Sequence, residues 1–321
     1  MKGYVILSLF ALLIVLTVPF CAFSPTPSSP QNTPLKSEDA VPPTTQAEAV
    51  FKVRNEKTDD IVTLDEQTFL TAIVACEMGA AAPQEALKAQ AVAAYTYYTK
   101  QRSAAKDGMF SNVPPAFFEY CTTQGMQSKW GDAYERNLSA IQCAIDAVKG
   151  KLLLYDDQPI TACYHAISAG LTEKASDVWG GEYPYLIPVD SAGDLSAAGY
   201  ETTASFTPDE LKALLQKENA DFSITDSHAA TWFSAPETTD SGFVKSINIG
   251  GTAFKGTAVR TALSLRSACF TVRYTNDRFV FTVRGYGHNV GMSQTGAKYM
   301  ANNGASFEEI LSHYYPGTIL K

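Results

Sequence analysis

Residues 61–80 read IVTLDEQTFLTAIVACEMGA. Asp65 is a predicted helix N-cap and Gly79 a predicted helix stop. Between them Phe69, Leu70, Ile73 and Val74 recur at helical spacing, and Glu77 continues their stripe. A carboxylate on that face has two readings. One is a helix end turned to solvent. The other is a general acid whose pKa is raised by apolar surroundings. A buried carboxyl with no cation beside it stays protonated near neutral pH, as glycosidic bond cleavage requires.

Outward from this helix the pattern predicts an α+β fold. VFKVRN (50–55) alternates as a short strand, and PQEALKAQAVAAYTYYTKQR (83–102) is a second helix with Pro83 in its first turn. The alanines of that helix permit close packing. A third helix spans 139–150 and ends at Gly150. KLLLYDD and ITACYHAIS read as strands joined by an Asp-Asp turn. A helix over 207–219 opens with Thr-Pro-Asp, and FVKSINIGG is a strand. CFTVRYTNDRFVFTVRG is a hairpin about Thr-Asn-Asp, and a last helix lies near 307–315. Helices come early and strands late, which favours α+β over a βαβ series.

The chain has 321 residues, 45% apolar and 18% charged, with a formal net charge of −8. That charge, without a basic run, argues against nucleic acid as a partner. The N-terminus, MKGYVILSLFALLIVLTVPFCAF, carries Lys2 and no further charge through Phe23. It is long enough to cross a bilayer, so residues 1–23 are expected to be an uncleaved single-pass anchor. A cleaved signal peptide is the rival reading. Residues 24–49, rich in Pro, Ser and Thr, read as a disordered linker, and 50–321 as the folded domain outside the cytoplasm. Cys21, Cys76, Cys121, Cys143, Cys163 and Cys269 are widely spaced and make no disulfide framework. They read as mostly buried thiols with at most one bridge.

Two further stretches can carry chemistry. YHAISAGLTEKASDVWGGEYPYL (164–186) packs Tyr164, His165, Ser168, Gly170, Thr172, Glu173 and Trp179 into a loop whose aromatic and polar mix suits sugars. RGYGHNVGMSQTGAKYM (284–300) sets Gly285, Gly287 and Gly291 around Tyr286 and His288, with Ser293 and Gln294 following. Its GxGxxxG spacing is neither a dinucleotide fingerprint nor a phosphate loop. An ordinary surface loop and a structural glycine turn are the alternatives. Cys163 and His165, two apart on the predicted strand, would share a face, so a thiol enzyme is a third option.

Four segments resemble the stage II sporulation protein D family, which includes the amidase-enhancer proteins. They are ACEMGAAAPQEALKAQAVAAYTY, ITACYHAISAGLTEKASDVWGGEYPYL, GTAVRTALSLRSACFTV and RGYGHNVGMSQTGAKYMANNGASFEEILSHYYPGT. The resemblance implies helical and β lobes around a glycan-binding cleft, and a peptidoglycan lytic transglycosylase with Glu77 as its acid. It implies a cut between N-acetylmuramic acid and N-acetylglucosamine of peptide-stripped strands, giving 1,6-anhydro ends. The setting would be septal remodelling and engulfment in sporulation, with a P-type amidase and an M-type membrane protein as partners. A glycan-binding scaffold that stimulates an amidase without cutting is the alternative. The family pattern carries Arg where this chain has Tyr95, whose ring can stack on a sugar. Some members bind zinc after the second helix; CTTQGMQ (121–127) keeps one Cys and no His, so neither metal nor cofactor is expected. Protease added to intact protoplasts should remove epitopes beyond residue 24 and leave Lys2 with the membrane. A soluble mature protein starting beyond residue 24 would contradict the anchor.

Overall fold

The computed structural model describes residues 50–321. Among these residues no helix is long and apolar enough to cross a membrane. The expected anchor and linker lie outside the described residues. The fold is α+β.

β1 (Val50–Arg54) pairs antiparallel with β2 (Ile61–Asp65), which runs straight into α1 (Glu66–Glu77). Asp65 caps α1 by accepting from Thr68 N–H at 2.8 Å, and Gly79, at φ +74°, follows its end. The stripe expected from spacing is buried, and Phe69 stacks on Phe51 with centroids 4.2 Å apart. α2 (Gln84–Ala104) starts just after Pro83, which stands at the N-cap rather than inside the first turn. Its alanines let α1 and the later helices pack close, so α2 is buried nearly all round. β3 (Met109–Phe110) joins β1 in parallel. α3 (Thr123–Trp130) follows, and then α4 (Tyr134–Ala147), which begins earlier than its apolar pattern suggested.

β4 (Leu153–Tyr155) and β5 (Gln158–Pro159) form the expected hairpin, with Asp156 and Asp157 both at positive φ. ITACYHAIS is not one strand. Pro159 ends the pairing, and only β6 (Tyr164–His165) is extended, parallel to a later strand. Cys163 stands just before β6, where its carbonyl accepts from Met292 N–H at 3.0 Å. None of the described cysteines forms a disulfide.

A second lobe lies within the first. β7 (Glu201–Phe206) leads to α5 (Pro208–Glu218), opened by a Thr207–Glu210 capping box. β8 (Glu237–Thr238), β9 (Val244–Ile249) and β10 (Thr252–Lys255) make one sheet, and α6 (Gly256–Ala262) follows. β11 (Cys269–Thr275) and β12 (Arg278–Arg284) form the expected hairpin, with β7 added at the β12 edge. This lobe has its own core, built on Leu211, Trp232, Ile249, Val259, Phe279 and Phe281.

The chain then returns to the first lobe through the glycine turn. β13 (Met292–Ser293) pairs with β6, α7 (Gln294–Asn302) and α8 (Phe307–Tyr314) pack on α2, and β14 (Ile319–Leu320) pairs with β4. Gly285, Gly287 and Gly291 sit at φ +77°, +118° and +71°. A Cβ on Gly291 would run into the Cys163 carbonyl, whereas Gly304, at φ +91°, has open space around it. Gly291→Ala should therefore cost roughly 3 kcal/mol or more, by backbone strain plus a clash. Gly304→Ala should cost only about 1 kcal/mol, from strain alone. Denaturant unfolding of both variants checks this; equal losses would contradict it.

Candidate active site

Glu77 is the last residue of α1, and the turn at Gly79 leaves its side chain at the wall of a cleft between helices and loops. It is half-buried: the cleft reaches it from one side and protein encloses it on the others. That desolvation raises its pKa to about 7. A hydrogen bond from Gln294 Nε2 to Oε2, at 3.1 Å, pulls weakly the other way. Among the described residues no Lys or Arg forms an ion pair with it.

Gln294 begins α7, and its Nε2 also donates to Gln90 Oε1 on α2, at 3.3 Å. Its place is fixed by its neighbour. Ser293 caps α7 and donates from Oγ to Asp194 Oδ1 at 2.9 Å. Asp194 is fully buried and also accepts from Ser168 N–H at 2.8 Å and Ser191 Oγ at 3.0 Å. One carboxylate thus ties the aromatic loop to the helix that carries Gln294.

Tyr97 and Tyr98 of α2, Tyr164 of β6, and His288 form further walls of the cleft around Glu77. His288 sits 4.8 Å from the Trp179 ring and 5.6 Å from the His165 ring. Burial and the facing histidine hold its pKa well down, so it is neutral. Its Nδ1 accepts from Val290 N–H at 3.1 Å. His165 is buried, with a pKa lowered by desolvation to about 4, and its Nδ1 lies 3.2 Å from Val290 O.

Of the residues expected at the site, the fold brings Glu77, Gln294, Tyr164 and His288 together. Ser168 and Ser293 are enclosed around Asp194. Thr172 fastens its loop, accepting from Val189 N–H at 2.9 Å and donating to Ile187 O. Gly170, at φ +101°, lies under Leu195. Tyr286 lies beneath the Arg266 guanidinium at 4.2 Å. Tyr95 packs on Phe51 and interacts with Glu66, at the opposite end of α1 from Glu77. At 1.5 Å per residue that end is roughly 16 Å away.

Glu173 also has a pKa raised by burial, to about 7. It is only 1% exposed, and its Oε1 accepts from Thr239 Oγ1 at 3.1 Å and from Ser241 Oγ. Burial also raises the pKa of Asp194, and of these three carboxyls Glu77 is the one that lines the cleft. Among the described residues no group of His, Cys, Asp and Glu could hold a metal.

Residues 54–155 match the family described as Stage II sporulation protein. The chain is 34% identical over 274 residues to Stage II sporulation protein D of Bacillus subtilis strain 168, covering 84% of this chain and 77% of that one. It is 33% identical over 273 residues to Stage II sporulation protein D of Bacillus amyloliquefaciens, covering 84% and 76%. The Amidase enhancer of Bacillus subtilis strain 168 is 30% identical over 299 residues, covering 78% of this chain and 40% of that one. The chain belongs to the stage II sporulation protein D family.

Because the folded state holds the Glu77 proton more tightly than the unfolded chain, that site loses stability as pH rises from about 4.5 to about 7. Glu77→Gln removes this loss. The variant should match the wild type at pH 4 and exceed it by roughly 1–3 kcal/mol at pH 8. Urea unfolding at both pH values checks the sign; a gap independent of pH would contradict it.

Proposed function

We propose that this protein is a peptidoglycan lytic transglycosylase of the sporulation cell wall. The observation that carries the reading is Glu77: a carboxyl with a pKa of about 7, opening onto an aromatic-walled cleft lined by no second carboxyl among the described residues. Glu77 donates its proton to the glycosidic oxygen between N-acetylmuramic acid and N-acetylglucosamine. The C1–O bond breaks and the N-acetylglucosamine end leaves as a free 4-hydroxyl. The muramic C6 hydroxyl then attacks C1 and returns its proton to Glu77, closing a 1,6-anhydro ring. The attacking oxygen comes from the substrate, so one carboxyl serves as acid and then as base. Tyr97, Tyr98 and Tyr164 offer ring faces to the sugar C–H surfaces, and Gln294 orients the acid.

The N-terminal segment would hold the domain at the outer face of the membrane, where peptide-stripped strands are made by an amidase. The Amidase enhancer relative supports an amidase as partner, and also a second reading: a glycan scaffold that stimulates such an amidase without cutting. Mass spectrometry of treated glycan strands separates the two. The wild type should release 1,6-anhydro ends. Glu77→Gln should fold and lower that release by roughly 10²–10⁴-fold. The wild-type rate should fall above pH ~7, as the acid ionises. Unchanged release by Glu77→Gln would refute the assignment, and amidase stimulation without any anhydro product would favour the scaffold.

A further inference from the structure

The chain carries 33 Asp and Glu against 25 Lys and Arg, so acids are in excess. Two arginines of the second lobe nevertheless form no ion pair among the described residues. Arg260 stands in the last turn of α6, half-buried, and desolvation lowers its pKa. Its Nε donates to Leu265 O at 3.3 Å, and its two terminal nitrogens have no hydrogen-bond partner among the described residues. Arg266 follows on the way to β11. Its guanidinium face lies on the Tyr286 ring at 4.2 Å, its Nη1 rests against Gly199, and its Nε is buried without a partner.

Both arginines border the glycine turn. Arg266 O accepts from Gly287 N–H at 2.9 Å, one residue before His288 in the cleft wall. Arg260 interacts electrostatically with Tyr286. Burial comes first in holding His165 and His288 neutral, and the Arg260 charge adds to it. Taking cations out of water without a counter-ion costs stability. The contacts they make use only part of each group. Arg260 spends one N–H at the end of α6, and Arg266 spends its face on Tyr286. The N–H edges that remain are the part of a guanidinium that grips an oxyanion.

We propose that Arg260 and Arg266 bind the 3-O-lactyl carboxylate of a muramic acid freed of its stem peptide. The site rests on a glycan occupying the cleft, as proposed above. It distinguishes stripped from unstripped strands by charge, because an attached peptide turns that carboxylate into a neutral amide. Short strands can be prepared with these carboxylates free, amidated, or still joined to stem peptides. Their binding is measured to the full-length Glu77→Gln protein, which should bind without turnover. Free-acid strands should bind roughly ten- to hundredfold tighter than amidated ones. The net charge of −8 would by itself favour the amidated form, so that advantage requires a local cation. Adding Arg260→Gln or Arg266→Gln should remove most of the advantage and leave amidated strands bound as before, which a misfolded variant could not do. Equal binding of free-acid and amidated strands overturns the assignment, as does an advantage that survives both substitutions. Tightest binding of peptide-bearing strands, lost in the arginine variants, would give the site to peptide carboxylates and overturn it likewise. Wild-type release of 1,6-anhydro ends is read on the same strands. Charge selectivity without release keeps the carboxylate site and removes the transglycosylase; release without charge selectivity does the reverse.

Discussion

The desolvation of one carboxyl organises this molecule. Glu77 is carried to the cleft wall by α1, where it ends the stripe that Phe69, Ile73 and Val74 lock into the first core. Protein encloses the side chain on every side but the cleft. Among the described residues no cation pairs with it, and a neutral amide from Gln294, 217 residues later, is its hydrogen-bond partner. A charged partner would hold the carboxyl ionised at neutral pH. The amide orients it and leaves its proton affinity high.

The rest of the first lobe keeps that amide in place. Three left-handed glycines let the chain double back between the second lobe and β13, close against the backbone of Ile167 and Cys163. Asp194 then gathers Ser168, Ser191 and Ser293, so one carboxyl group fastens the aromatic loop to the start of α7. Tyr314 reaches the same cluster, with its hydroxyl 2.8 Å from Ser191 Oγ. Glu173 ties the loop outward to Thr239 and Ser241 at the border of the second lobe. Two buried acids thus hold loops together, and a third faces the cleft.

The sequence made much of this legible where local chemistry decides structure. Asp65, Gly79, Thr207 and the Asn276–Asp277 turn act within a few residues of themselves, and each stands where its residue type suggested. Glu77 was legible because a charged residue broke an apolar stripe. What depended on distant pairing was not. Asn112, Val113 and Pro114 reach the cleft because β3 joins β1 in parallel, and no local pattern announces that. Asp194 looked like any loop acid until three serines from separate segments met it. Tyr97 and Tyr98 lay in a quoted helix, and their spacing from Gln90 put them on its cleft face, a signal that could have been read. Ser168, Thr172 and Glu173 suited a sugar by type, yet their polar groups are spent on the protein itself.

The central claim is that burial without a cation keeps Glu77 protonated near neutral pH. Carbon-13 NMR titration of glutamate carboxyls in the full-length protein tests it directly, with the Glu77 resonance assigned by its loss in Glu77→Gln. The account predicts a midpoint at about 7 for that resonance. A midpoint in the ordinary glutamate range, roughly 4–4.5, would contradict it.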